Sequence, residues 1–152
     1  MALPNSDRYD VPSSGKIEDE VFAGRRQHAM YINMPNLTSA IGSWSVRFAE
    51  MRAGDETPGN LSAPEAVRKV DPAYPPSLLR DRIEGVVILR AVIRSDGSVG
   101  DVSVLEGFND QLDANARAAL EQWRFRPGLK NGVPVDVEAV IRVPFRVPHV
   151  GF

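Results

Sequence analysis

The sequence has no cysteine, two histidines and no long hydrophobic run. Without cysteine there are no disulfides, no thiolate nucleophile and no Cys-based zinc site. His28 and His149 lie far apart and lack ligand-like spacing, so no metal is expected. The longest apolar run, Val86–Leu89, is strand-sized and far short of the roughly 18–20 residues of a membrane-spanning helix. Met1–Gly15 is polar and lacks the apolar segment of a signal peptide. Neither sign of charge dominates: the net value is -2, so no basic surface for nucleic acid or anionic lipid is advertised. Glycines form no phosphate-cradling loop, and no serine stands in a nucleophile elbow. Carboxylates are numerous, but none sits in a recognisable acid–base setting. Neither an enzyme nor a bound cofactor is expected.

What is present is an ordinary globular composition, 43% apolar and 25% charged. Residues 1–24 are rich in Pro, Ser, Asp and Gly without a period, and read as a flexible lead-in. Residues 25–52 read as a β-hairpin extension spanning Gln27–Glu50. In its second strand Trp44, Val46 and Phe48 share one face, which predicts that this hairpin joins a sheet and buries all three. The turn chemistry of Pro35–Gly42 separates its strands. Residues 53–63 are a linker by composition, and 64–152 form the main domain.

The main domain has the order strand, turn, strand, helix, long strand. Val87, Leu89, Ala91 and Ile93 line one face of the first strand, and Asp96-Gly97 supplies a tight turn before Val99–Leu105. Residues 111–123 repeat apolar side chains at helical spacing, with Asn109 or Asp110 as N-cap. Asn131-Gly132 marks a further turn. Pro134–Val147 then alternates, with Val135, Val137, Ala139, Ile141, Val143, Phe145 and Val147 on one face. Asp136, Glu138, Arg142 and Arg146 lie on the other, with Val140 and Pro144 as exceptions. The fold class is therefore α+β: a small antiparallel sheet with one main helix packed on it, plus the N-terminal hairpin.

Pro144 and Pro148 cannot donate to a ladder, which favours an edge position for this last strand. An unpaired edge offers backbone N–H and C=O groups that an extended peptide can complete. At about 0.5–1.5 kcal/mol net per bond, roughly five or six bonds give modest affinity. The same outward charges also suit an edge that is merely protected from aggregation, or one that pairs with a second copy.

The ordered set Asp71-Pro72-Ala73-Tyr74-Pro75-Pro76, Ile83-Glu84-Gly85-Val86-Val87, Arg94-Ser95-Asp96-Gly97-Ser98, Trp123-Arg124-Phe125-Arg126-Pro127-Gly128 and Asn131-Gly132-Val133-Pro134-Val135 resembles the TonB C-terminal domain family. The resemblance covers half the chain. It implies the periplasmic domain of an energy transducer that binds the TonB box of outer-membrane transporters by strand addition. It also implies an inner-membrane proton-driven complex as energy source, siderophore-type uptake as outcome, and an anchoring segment upstream of this sequence. The candidate partner-binding residues are Tyr74 and Pro75, which the resemblance sets beside the bound peptide, Arg82, and the candidate edge strand Val135, Asp136, Val137, Glu138, Ala139, Val140, Ile141 and Arg142. Tyr74-Pro75 reads equally as a rigid turn packed on the sheet, whereas Arg82 reads first as half of an exposed charge pair with Glu84. The Gln27–Glu50 hairpin departs from the family pattern; if it occupies an edge of the same sheet, the free edge shifts elsewhere. A structural or sensory module of a larger envelope protein is the alternative function.

Overall fold

The computed structural model describes residues 15–33, 43–51 and 61–147. Residues 1–14, 34–42, 52–60 and 148–152 lie outside them, and with them the expected lead-in up to Ser14, the Pro35–Gly42 turn, most of the expected linker, Pro148 and His149. The elements in chain order are α1 (Gly15–Val21), β1 (His28–Asn33), β2 (Ser43–Glu50), β3 (Leu61–Ser62), β4 (Glu65–Arg68), α2 (Pro76–Arg80), β5 (Gly85–Ile93), β6 (Val99–Glu106), α3 (Asp110–Glu121), β7 (Arg124–Arg126), β8 (Gly128–Lys130), β9 (Val133–Val135) and β10 (Val137–Phe145).

The main sheet is antiparallel throughout, in the order β1-β2-β10-β5-β6. Two small sheets, β3-β8-β9 and β4-β7, flank it. The β5–β6 turn depends on Gly97. Its φ of 89° is costly for any other residue, and a Cβ there would meet the Phe125 carbonyl oxygen at 2.1 Å. Ser98 donates to Asp96 through both its backbone N–H and its hydroxyl, holding the Asp96 carboxyl below its usual range.

α3 starts where the sequence supplies a cap. The Asn109 side chain accepts from the backbone N–H groups of Gln111 and Leu112, both at 3.0 Å. Asp110 and Asp113 in the first turn favour the helix dipole. Leu112, Ala116, Ala119 and Leu120 form its buried stripe. Trp123 follows directly, donates from Nε1 to Val70 O at 2.9 Å, and stacks on Trp44 with ring centroids 4.7 Å apart.

The alternation read from the sequence holds for the core. Val87, Leu89, Ala91 and Ile93 of β5 and the odd-numbered residues 137–145 of β10 are buried in one cluster with the α3 stripe. Trp44, Val46 and Phe48 enter the same cluster, so the hairpin does extend the sheet and bury them.

Several expectations are corrected. The long last strand divides at Asp136, whose carboxylate accepts from Ser95 N–H at 2.7 Å, and Val133–Val135 pairs with β8 instead of the main sheet. Gly15–Val21, assigned by composition to a flexible lead-in, is a helix, and Glu18 and Phe22 are 1% exposed. Ile17 and Val21 of the helix, with Phe22 just beyond it, cover the sheet face opposite α3, against Ala49, Ile88 and Val140. This explains Val140 as an exception to the alternation: the second face is also covered at that point.

Two buried indoles of similar size therefore differ in polar satisfaction. Trp44 Nε1 has no hydrogen-bond partner among the described residues, whereas Trp123 Nε1 has Val70 O. Trp123→Phe is expected to destabilise the fold by about 1 kcal/mol more than Trp44→Phe, because only the former breaks a bond and strands an acceptor. Urea unfolding midpoints of the two variants check the ordering.

Candidate functional site

β10 is the middle strand of the main sheet and not its edge. Val137–Arg142 pair with Glu50–Ser45 of β2 on one side, and Val137–Phe145 pair with Ile93–Gly85 of β5 on the other. The expectation of a free ladder along Val137, Glu138, Ala139, Val140, Ile141 and Arg142 is thus corrected for this arrangement. Their ladder groups already serve two neighbours. The prolines gave a local signal. Pro144 falls in the last three residues of β10, where β2 has stopped pairing.

Of the charges expected to point into solvent, Asp136 and Arg146 are exposed, whereas Glu138 and Arg142 are covered. Glu138 is 5% exposed. It pairs with Arg25 at 2.6 Å and with Arg90. Arg142 makes a two-pronged contact with Glu18, Nε–Oε2 at 2.9 Å and Nη2–Oε1 at 3.0 Å. Arg25 is a hub. Its guanidinium also donates to the carbonyls of Val21, Glu50 and Met51 at 2.7, 2.8 and 2.7 Å, and lies over the Phe22 ring. One arginine thereby ties the end of α1, the end of β2 and the side chain of β10 together. Sequence reasoning missed Glu18, Phe22 and Arg25. The spacing of Ile17, Val21 and Phe22 carried the helix signal, masked by the polar residues preceding it.

The other site residues lie around this strand. Tyr74 is buried, donates its hydroxyl to Ile83 O at 2.6 Å, and meets the Phe145 ring edge-on at 5.3 Å. Asn115 of α3 anchors the segment through a 2.9 Å bond to Ala73 O. Pro75 is the N-cap of α2. Arg82 is exposed, at a φ of 55°. Val135 closes β9 opposite Gly128, and Asp136 is the exposed hinge into β10. Tyr74 and Val137 therefore stand at opposite ends of β10, roughly 26 Å apart along the strand at about 3.3 Å per residue.

Burial pushes the Tyr74 hydroxyl above the usual 10.0, Glu84 adds to the push and Arg146 opposes it. Below pH 10.0 both folded and unfolded chains keep this proton. Above it the unfolded chain ionises first, so stability falls as pH rises. Tyr74→Phe is expected to remove that part of the alkaline loss, read as a smaller drop in the urea midpoint across pH 10.0 than in the parent.

The α1–β2 cover is firmly seated. Phe22, Ile32, Trp44, Val46 and Phe48 are all buried. At about 1.5–3 kcal/mol each, their burial contributes roughly 8–15 kcal/mol before the entropy of ordering. The buried ion pairs add little net stability but are costly to half-remove. Glu18→Leu alone is expected to cost about 3 kcal/mol by removing the two-pronged carboxylate partner of the largely buried Arg142 guanidinium, and Glu18→Leu/Arg142→Met to recover most of that loss. Urea unfolding of the parent, both single variants and the double variant measures the coupling.

Among the described residues no group of three or more His, Cys, Asp or Glu is placed to hold a metal, and no helix is long and apolar enough to cross a membrane. The family of Gram-negative bacterial TonB protein C-terminal domains matches residues 70–147. The chain is 29% identical to protein TonB of Pseudomonas aeruginosa over 114 residues, covering 62% of this chain and 33% of that protein. It is 37% identical to protein TonB of Xanthomonas campestris pv. campestris over 62 residues, covering 40% of this chain and 28% of that protein. The chain thus spans about a third of the length of the curated relatives it matches. The solution NMR structure of the Pseudomonas aeruginosa TonB CTD superposes with a TM-score of 0.50 at 31% identity, covering 57% of this chain and 88% of that one. A mostly antiparallel sheet with a helix packed on it, the ordered motifs from Asp71 to the last strand, and a match over half the sequence place the chain in the TonB C-terminal domain family.

Proposed function

We propose that this chain is the periplasmic partner-binding domain of a TonB-like energy transducer. It takes up an extended segment, the TonB box, of an outer-membrane transporter by strand addition. Force from an inner-membrane proton-driven complex, reached through a segment upstream of this sequence, then drives uptake of a siderophore-type nutrient. Binding of this kind needs no catalytic group.

The observation that carries the reading is the pairing of β2 with β10. Residues 70–147, which match the family, contribute β10, β5 and β6 to the main sheet, and within that set β10 would be an edge. β2, which lies outside the match, occupies that edge as an extended antiparallel strand over Val137–Arg142. The edge therefore accepts an extended strand in register, with the strand's alternate side chains reaching the core. The contact residues on this reading are Val137–Arg142 by ladder, Val135 and Asp136 at the entrance, and Tyr74, Pro75 and Arg82 about the far end. A ladder is tolerant of sequence, which suits one transducer serving several transporters.

Titration of the isotope-labelled chain with synthetic TonB-box peptides from several transporters of the same organism tests this. Backbone resonances of Val137–Phe145 and those around Tyr74 are expected to shift. If every peptide leaves both regions unmoved, the binding assignment is wrong.

A further inference from the structure

β2 stops pairing with β10 at Arg142, whereas β5 continues to Phe145. On the β2 side Val143–Phe145 has no ladder partner among the described residues, and Pro144 has no N–H to leave unpaired. This stretch, beyond the end of the β2–β10 ladder among the described residues, lies beside Tyr74, whose ring contacts Phe145. The nearest core residue of β2 is Trp44, one position beyond the last pair, Ser45↔Arg142. Its buried Nε1 is unsatisfied. The incumbent strand thus carries its one polar defect among the described residues at the end where its ladder with β10 stops. At the opposite end the cover is pinned by Arg25, which holds Glu138 and the carbonyls of Glu50 and Met51.

Resting on the function proposed above, we propose that β2 is a tethered stand-in for the partner strand. The partner enters at Val143–Phe145 and replaces β2 progressively toward Val137. The burial at Trp44, Val46 and Phe48 decides what partner succeeds. A strand supplying only backbone bonds leaves three core sites empty and does not displace β2. A strand with bulky apolar side chains at alternate positions refills them, and one that places no N–H donor at the Trp44 site does so without the orphaned group. The partner class is therefore an extended peptide, antiparallel to β10, apolar at every second residue. The cover both excludes purely polar strands and keeps the edge from pairing with a second copy.

A reversible lock tests the exchange. Arg47 and Val140 are directly paired across β2 and β10, and the chain has no other thiol. Directly opposed antiparallel residues lie within disulfide reach. In Arg47→Cys/Val140→Cys, oxidation staples β2 in place and reduction frees it. The probes are the synthetic TonB-box peptides, with affinity read by fluorescence anisotropy. Binding is expected to be at least tenfold weaker in the oxidised form and to return on reduction. Arg25→Gln, with no engineered cysteine, is expected to bind at least tenfold more tightly than the parent, because one pin is removed. Equal affinity in both redox states overturns the exchange, since the peptides then bind without displacing β2, and leaves transporter binding itself standing. No binding to the reduced form, the parent or Arg25→Gln overturns both.

Discussion

The double pairing of Val137–Arg142 organises this fold. With β2 on one side and β5 on the other, β10 becomes the line along which the family-matched segment and the N-terminal segment are joined. Its odd-numbered residues point into the α3 core. Its even-numbered residues meet the α1 side, where Val140 packs and Glu138 and Arg142 find their partners. A strand with covered faces and partners on both edges has no freedom of register, because a slip by one residue would move Glu138 and Arg142 into the apolar cluster.

The charges on β10 do more to specify than to stabilise. Burying Glu18 with Arg142 and Glu138 with Arg25 costs desolvation that the pairing roughly offsets. Apolar burial by Phe22, Trp44 and Phe48 supplies the attraction. The ion pairs select the one placement of α1 and β2 in which no charge is stranded. Arg25 is the tightest example, since its donors reach α1, β2 and β10 at once.

Much of this was legible in the sequence. Period-2 alternation located β2, β5 and β10 and gave the correct inward face for each. Asn109 and the apolar stripe located α3, and Asp96-Gly97 located a turn that only glycine fits. Whether a strand is central or at an edge was not legible, because alternation reports faces and says nothing of neighbours. Pro144 pointed to an edge, and its information was local: among the described residues only the last three of β10 run past the β2 ladder. Glu138 and Arg142 read as solvent-facing because their cover lies over a hundred residues away, in a stretch whose composition resembles a loop. The short helix over Gly15–Val21 gains its stability from that tertiary contact and has little of its own.

The partner-binding role proposed for this chain rests on an edge that the protein closes with its own β2. Native-state amide hydrogen exchange measures that closure most directly. The account expects those β10 amides that bond to β2 to be protected and to open together with β1 and β2, at lower free energy than the amides that bond to β5. Exchange of the β2-facing amides at the rate of an unpaired edge, with the β5-facing amides still protected, would contradict it.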